Sequence, residues 1–395
     1  MSINANSPSI LLCTGWQTTN IGDMAFTPAM LRMLEKYVPE ARVVAWVMHM
    51  DDGDEELYRA NWPEVQIVRG TLDTKGNPIS PELKKAFEET DLFLYNSGPL
   101  FSYGTYTTSW DACIRAALPL FYCRSLGKPY GIYAQSFDGF APPSGLIFKD
   151  LLSEAAFVFT RETHSLAHLK EIGVCTPVLD FAPDADFGFD LRDEDRATAY
   201  LDQEGLKEGQ FLVVNILSKN WKMEANGLRD GFMEKMRELI INWVRTTHLP
   251  VLIAPEQVRE LTTAQPLLVD FLPADVRALV HQRTTWWLPS EARSVFSKAR
   301  ALIGMEPHSV IMALTEGVPS MHLSYEGFGY KGQMFDDIGL GEWLFDIEKQ
   351  SSAEITEVLL KVDREYSQAR ARVTEAMQWV RQREAEAMGV VKAAV

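Results

Sequence analysis

Glu306, His308, Ser309, Glu316 and Tyr325 fall within one stretch, LIGMEPHSVIMALTEGVPSMHLSYEGFGY, from Leu302 to Tyr330. An imidazole, two carboxylates, a hydroxyl and a phenol in one short segment can move protons and hold a charged ligand. Ala301, Leu302 and Ile303 read as the end of a strand, 304–309 as a turn and 310–316 as a helix. Gly317-Val318-Pro319 stops that helix before an apolar strand at 320–324. A helix starting beside His308 presents free backbone N–H groups and a positive dipole end, which favour phosphate or carboxylate. Strand, turn, helix and strand form the unit at which open parallel sheets place ligands, beyond the carboxyl ends of the strands. The competing reading is an ordinary crossover with a histidine in its loop.

Other chemistry-bearing residues sit where further strands end. Asn20-Ile21-Gly22-Asp23 leads into the first helix. Asp23 there is either a helix cap or, with Asn20, a hydrogen-bonding partner for hydroxyls, while Gly22 allows close backbone approach. Ser97-Gly98-Pro99-Leu100-Phe101-Ser102-Tyr103-Gly104 reads as the loop after a fourth strand and Gln135 to Gly139 as the loop after a fifth, on the same rim. Arg161 directly follows a strand, and its guanidinium either forks onto an anion or pairs with Glu162, Asp184 or Asp186. Lys219, Lys222 and Lys331 also follow strands and, taken together, suggest an anion pocket.

No GxSxG, HExxH, GxxxxGK[ST] or GxGxxG occurs, so serine hydrolase, zincin, P-loop and dinucleotide readings lack local support. His164 and His168 have the i, i+4 spacing of a metal pair but no carboxylate at a matching spacing. No metal and no cofactor is therefore expected. Trp286 and Trp287 read as packing.

The elements that must position these groups alternate. Strands are expected at 9–14, 42–48, 65–68, 92–95, 129–134, 156–160 and 177–179, with helices at 24–37, 111–126 and 161–172. After a turn-rich stretch at 183–188 and a polar, helical one at 190–209 that reads as a hinge between domains, a second series begins, with strands at 211–216, 250–254 and 301–303 and helices at 231–246 and 290–298. One long amphipathic helix, or two, covers 353 to about 387. This pattern predicts an α/β chain of two Rossmann-like domains facing across a cleft. The expected domains are 1–190, 191–350 and a helical segment at 351–395.

The bulk properties narrow the partners. A chain of 395 residues with 46% hydrophobic and 23% charged residues suits a globular protein of two domains. A net charge of −16 argues against nucleic acid and anionic membrane surfaces, though not against a small anion held by local cations. Cys13, Cys113, Cys123 and Cys175 show no CxxC spacing and read as reduced core residues of a cytoplasmic protein. The N-terminal segment reads neither as a signal peptide nor as a membrane span. A homo-oligomer is compatible with all of this.

In order and spacing, Asn20-Ile21-Gly22-Asp23, the Ser97-Gly98-Pro99-Leu100-Phe101 segment, the Gln135 segment, Phe157 to Arg161 with Ser165-Leu166 and Gly173, Pro183-Asp184-Ala185-Asp186, and Leu302 through His308-Ser309 to Tyr325 resemble the polysaccharide pyruvyl transferase family. The resemblance implies a glycosyltransferase-B-like fold whose C-terminal helix returns to the N-terminal domain. It also implies transfer of a pyruvyl group from phosphoenolpyruvate to hydroxyls of a sugar or glycan, giving a ketal in polysaccharide biosynthesis. The N-terminal domain would bind the acceptor and the C-terminal domain the donor. On these lines His308 is the general acid and Asp23 takes the hydroxyl proton. Arg161, Lys331, Lys219, Glu306 and Ser309 line the donor site, and Asn20, Gly22, Ser97, Gly98 and Gln135 the acceptor site. The family pattern carries an arginine two residues before the histidine, where this chain has Glu306. A carboxylate there repels a donor anion, so Lys219 or Lys331 substitutes or the donor is another anion. A nucleotide-sugar glycosyltransferase on the same fold, with Glu306 or Glu316 on ribose, and a non-catalytic relative are the alternatives.

Overall fold

A computed structural model describes residues 7–14, 18–47, 52–103, 109–140, 144–218, 223–224 and 226–395. Lys219, Lys222 and Gly104 lie outside the described residues. The chain divides into two compact units, 1–18 with 23–189 and 380–395, and 19–22 with 190–379.

The first unit is built on a parallel sheet of β1 (Ser9–Thr14), β2 (Arg42–Val47), β3 (Gln66–Arg69), β4 (Leu92–Tyr95), β5 (Gly98–Ser102), β6 (Tyr130–Asp138), β7 (Phe157–Thr160) and β8 (Leu179–Phe181). Its order is β3-β2-β1-β4-β6-β7-β8, with β5 beside β6. Strands covered on both faces read as unbroken apolar runs, as Ile10 to Cys13 does, each residue fully buried. Phe101 stacks on Phe137 and Phe140 on Phe148, and the two pairs meet edge to face in the core.

The second unit repeats the scheme with β9 (Leu212–Asn215), β10 (Val251–Ile253), β11 (Val280–Gln282), β12 (Ala301–Gly304), β13 (Ser320–Ser324) and β14 (Leu344–Asp346). The order β11-β10-β9-β12-β13-β14 is parallel throughout. The chain winds outward from β9 to β11 and then returns to the other side of β9 as β12. The switch point therefore lies between β9 and β12, where such sheets open a ligand crevice.

Several sequence expectations change. The segments at 98–102 and 135–138 are not loops: Gly98 pairs with Gln135 and Ser102 with Asp138, so they form β5 and the outer half of β6. The register irregularity between Gly98 and Phe101 breaks the alternation that would have revealed the pair. The helix after β12 spans Pro307–Thr315 and starts three residues earlier than its apolar run, because proline suits a first helical position that needs no N–H. The first helix likewise starts at Ile21 rather than Met24. Helices at Asp52–Asn61 and Pro81–Glu89 were not expected.

The C-terminal segment is two helices, Ser352–Arg364 and Tyr366–Ala393, the former opened by a Ser351/Glu354 capping box. The end of the second helix belongs to the first unit, where Arg383 donates to Asp180 Oδ2 at 3.0 Å and to the Phe181 carbonyl at 2.7 Å. Cys175 is exposed in the connection before β8, unlike the three buried cysteines, so it is not the core residue expected of it. Among the described residues no helix is long and apolar enough to cross a membrane.

Candidate active site

The carboxyl ends of β9, β10, β12 and β13 gather the second unit's chemistry. Asn215 ends β9 and is fully buried; its Nδ2 donates to the Ala254 carbonyl at 3.2 Å and its Oδ1 accepts the Glu306 N–H at 3.0 Å. That one side chain ties the segment after β10 to the segment after β12. Just past β10 comes Glu256, also fully buried. Trp287 Nε1 donates to the Pro255 carbonyl at 3.1 Å, and Glu260 Oε2 accepts the N–H groups of Glu256 and Gln257 at 3.0 and 3.1 Å. These bonds hold the Glu256 backbone from both sides.

Glu256 then reaches the first turn of the helix Pro307–Thr315. Its Oε1 lies 3.1 Å from His308 Nδ1, and its Oε2 accepts the Ser309 N–H at 2.8 Å and the Ser309 hydroxyl at 2.7 Å. The anion expected at this helix N-terminus is thus supplied by the protein, and Ser309 holds Glu256 rather than offering its N–H to a ligand. Burial works to raise the Glu256 pKa, but the His308 hydrogen bond and charge and both Ser309 donors outweigh it and hold the carboxyl below its ordinary range. A carboxylate on Nδ1 fixes the ring's orientation, places the tautomeric proton on that nitrogen and favours the imidazolium.

Residues 19–22 belong to this same unit. Asn20 bridges Gln257, the Ile21 N–H donates to the Glu256 carbonyl at 2.9 Å, and the Val258 N–H donates to the Thr19 carbonyl at 2.9 Å. Asn20 Oδ1 accepts the Gly22 N–H at 2.7 Å, capping the helix start. A Cβ on Gly22 would lie 1.8 Å from His308 Nδ1. The glycine therefore makes room for the histidine ring, a reason different from the ligand approach expected of it.

Glu306 is 3% exposed, with Gln257 Nε2 donating to its Oε1 in a short hydrogen bond and Lys331 Nζ 3.8 Å from its Oε2. Burial pushes its carboxyl up to about 7, with Glu256 adding to the rise and Lys331, His308 and Arg259 opposing it. Glu260 is likewise raised, by burial and then by Glu306. His322, 1% exposed against Phe335, is driven down to about 3 by burial and the nearby Lys331 charge, so it is neutral at physiological pH. The repulsion expected of Glu306 is accordingly weaker than that of a fixed carboxylate.

Of the residues expected in a site, Asn20, Gly22, Glu306, His308, Ser309 and Lys331 come together in the second unit. Ser97, Gly98, Gln135, Arg161 and Asp23 belong to the first. Gln135 is fully buried in β6, its Oε1 accepting the Leu100 N–H at 3.1 Å and its Nε2 donating to the Asn96 carbonyl, so it clamps β5 onto β6. The Ser97 hydroxyl donates to the Ala134 carbonyl at 2.8 Å, and Gly98 takes a φ of 150°. Arg161 is 1% exposed, ion-paired to Asp184 at 2.8 Å and donating to the Ser136 hydroxyl at 2.6 Å. Of its two readings, the ion pair is the one observed. Glu316 closes its helix against Arg192 and Arg293, and Tyr325 packs edge-on to Phe232. Glu256, Gln257, Glu260 and Asn215 went unrecognised in the sequence. Glu256 was findable, since it stands two residues beyond a strand whose end was already read at Ala254.

The sequence profile described as polysaccharide pyruvyl transferase matches residues 20–327. No curated protein matches the chain in sequence. In structure the chain is similar to Anabaena Alr3699/HepE, solved in complex with UDP-glucose, with TM-score 0.61 and 12% identity over 98% of each chain. It is similar to S. aureus MnaA, solved with UDP, with TM-score 0.56 and 13% identity over 93% of this chain and 91% of that one. A UGT transferase from Siraitia grosvenorii, also with UDP, gives TM-score 0.55 and 10% identity over 94% and 95%. At such identities the likeness is one of fold, that of the glycosyltransferase-B enzymes with two Rossmann-like domains. The profile spans Asn20, Gly22, Glu256, Glu306, His308 and Ser309 and ends four residues before Lys331, and the chain belongs to the polysaccharide pyruvyl transferase family of transferases.

Proposed function

We propose that this protein transfers a pyruvyl group from phosphoenolpyruvate to two hydroxyls of a sugar or glycan, forming a ketal and releasing phosphate. The observation that carries this reading is the His308 ring held by Glu256 at 3.1 Å in the segment on which the family profile matches. As imidazolium, His308 donates a proton to the methylene carbon of the donor, and the positive charge that develops at the neighbouring carbon is met by a sugar hydroxyl. A second hydroxyl displaces phosphate. Of the two hydroxyl protons, one restores His308 and the other leaves on phosphate, so the step balances without a metal or redox partner.

Within this reading Glu256 keeps the imidazole protonated and aimed, Lys331 holds the donor's carboxylate or phosphate, and Asn20 and Gly22 keep the ring in place. The acceptor is assigned to the first unit, around Ser97 and Gly98, with Asp23 first taking the hydroxyl proton that finally leaves on phosphate. The expected setting is cytoplasmic synthesis of a polysaccharide. The test is incubation with phosphoenolpyruvate and candidate glycans, reading the pyruvate adduct by mass and released phosphate in parallel. His308→Gln should lower turnover by about 100-fold or more, and full turnover in that variant would overturn the general-acid role.

Glu306 supports a second reading. A carboxylate beside a crevice in a glycosyltransferase-B fold suits ribose hydroxyls of a nucleotide-sugar donor, and HepE was solved with UDP-glucose and MnaA with UDP. Stabilisation by UDP but not by phosphoenolpyruvate in a melting experiment would favour it.

A further inference from the structure

Glu306 stands where an incoming anion would have to compete with it. Its Oε2 lies 3.8 Å from Lys331 Nζ, its backbone N–H is fixed by Asn215 and its Oε1 by Gln257. The charged and titratable groups around it come from every neighbouring element: Glu256, Arg259 and Glu260 after β10, His308 on the following helix, and His322, Tyr325 and Lys331 on and after β13. With His308 as imidazolium, Glu256 balances it and an ionised Glu306 balances Lys331. An arriving anion then finds the Lys331 ammonium already balanced by Glu306. With Glu306 neutral, one positive charge is left for the ligand, and the carboxyl can still accept from Gln257.

We propose that Glu306 is an internal counter-anion of Lys331 that takes up a proton when an anionic ligand binds, handing the ammonium to the ligand and tying donor affinity to pH. This rests on the assignment of the β9, β10, β12 and β13 strand ends as the donor site. The direction is set by burial, which already holds the Glu306 carboxyl at about 7, so an added negative charge nearby moves it further toward the neutral form. The structure thus gives the carboxylate that replaces the family's arginine a way not to repel the donor.

The experiment is calorimetric binding of phosphoenolpyruvate, UDP and inorganic phosphate to the full chain between pH 7.5 and 9, in two buffers of different ionisation enthalpy. This range lies above the last ionisation of a phosphate monoester near 6, and the comparison of the two proteins cancels any proton that inorganic phosphate itself exchanges. The wild type should take up more protons per bound anion than Glu306→Gln, the difference approaching one. The variant should bind about tenfold more tightly than wild type at pH 8, as a carboxyl titrating near 7 requires. Glu306→Met, equally unable to titrate, takes the place of the glutamine variant should that substitution misfold, so the comparison is kept. Equal proton uptake in both proteins overturns the inference, as does an absence of binding by all three anions. Proton-linked binding of UDP with none of phosphoenolpyruvate would leave the inference standing and remove the pyruvyl-donor reading.

Discussion

Replacing Glu306 by glutamine tests the electrostatics of the site without any substrate. The side chain keeps its shape and an oxygen for Gln257, and the variant mimics the protonated carboxyl at every pH. In the native chain the proton is held up to about pH 7, whereas the unfolded chain releases it near the ordinary value of 4.5. Stability contributed by neutral Glu306 is therefore complete below about pH 4.5 and lost as pH rises through about 7. At about 1.4 kcal/mol for each tenfold change in proton affinity, the displacement from 4.5 to about 7 makes the ionised side chain unfavourable by about 3 kcal/mol above pH 8. Glu306→Gln should then match the wild type near pH 4.5 and exceed it by about 2–3 kcal/mol at pH 8.5. In a unit of this size each kcal/mol corresponds to about 2–4 °C in melting temperature, so the gap should open by about 5–10 °C across that range. Urea titration and thermal melting at matched pH values measure it. A difference that does not change with pH, or that changes sign, would refute the argument from burial.

Three further substitutions probe the surroundings. Glu256→Ala strands the His308 ring and both Ser309 donors in the interior and should cost about 3–5 kcal/mol in urea unfolding. Glu256→Gln should fold but shift the alkaline limb of the rate profile to lower pH, because the charge that favours the imidazolium is gone; an unmoved limb would remove Glu256 from the mechanism. Gly22→Ala places a methyl 1.8 Å from His308 Nδ1, so turnover should fall by about 100-fold while circular dichroism stays native. Arg161→Met leaves Asp184 buried without its partner and should destabilise the protein by about 3–5 kcal/mol. Normal stability with a raised KM for phosphoenolpyruvate would instead make Arg161 a donor ligand.

The substitutions also mark how far the chain could be read in one dimension. Apolar runs such as 10–13 and 301–303 declared themselves as strands because burial on both faces removes every polar residue from them. Gly317 and Pro319 punctuated the helix after His308 for equally local reasons. The pairing of β5 with β6 was illegible, since its register slips, and Gln135 looked like a loop residue for that reason. The one local sign of Glu256 is its place just beyond a strand end; its meaning comes from His308 and Ser309, on a helix far along the chain that Glu256 meets only in the fold.

The sequence by itself determined the class of the fold, the strand ends at which chemistry is placed, and His308 as the group to watch, because side-chain periodicity and turn residues act over a few positions. Only the tertiary structure decided what surrounds His308. Parallel crossovers bring the ends of β9, β10, β12 and β13 together, so Glu256 reaches the imidazole, Gly22 yields it space, and Glu306 meets Lys331. Burial at that convergence, which no spacing in the chain encodes, turns Glu306 from a fixed negative charge into a titratable one.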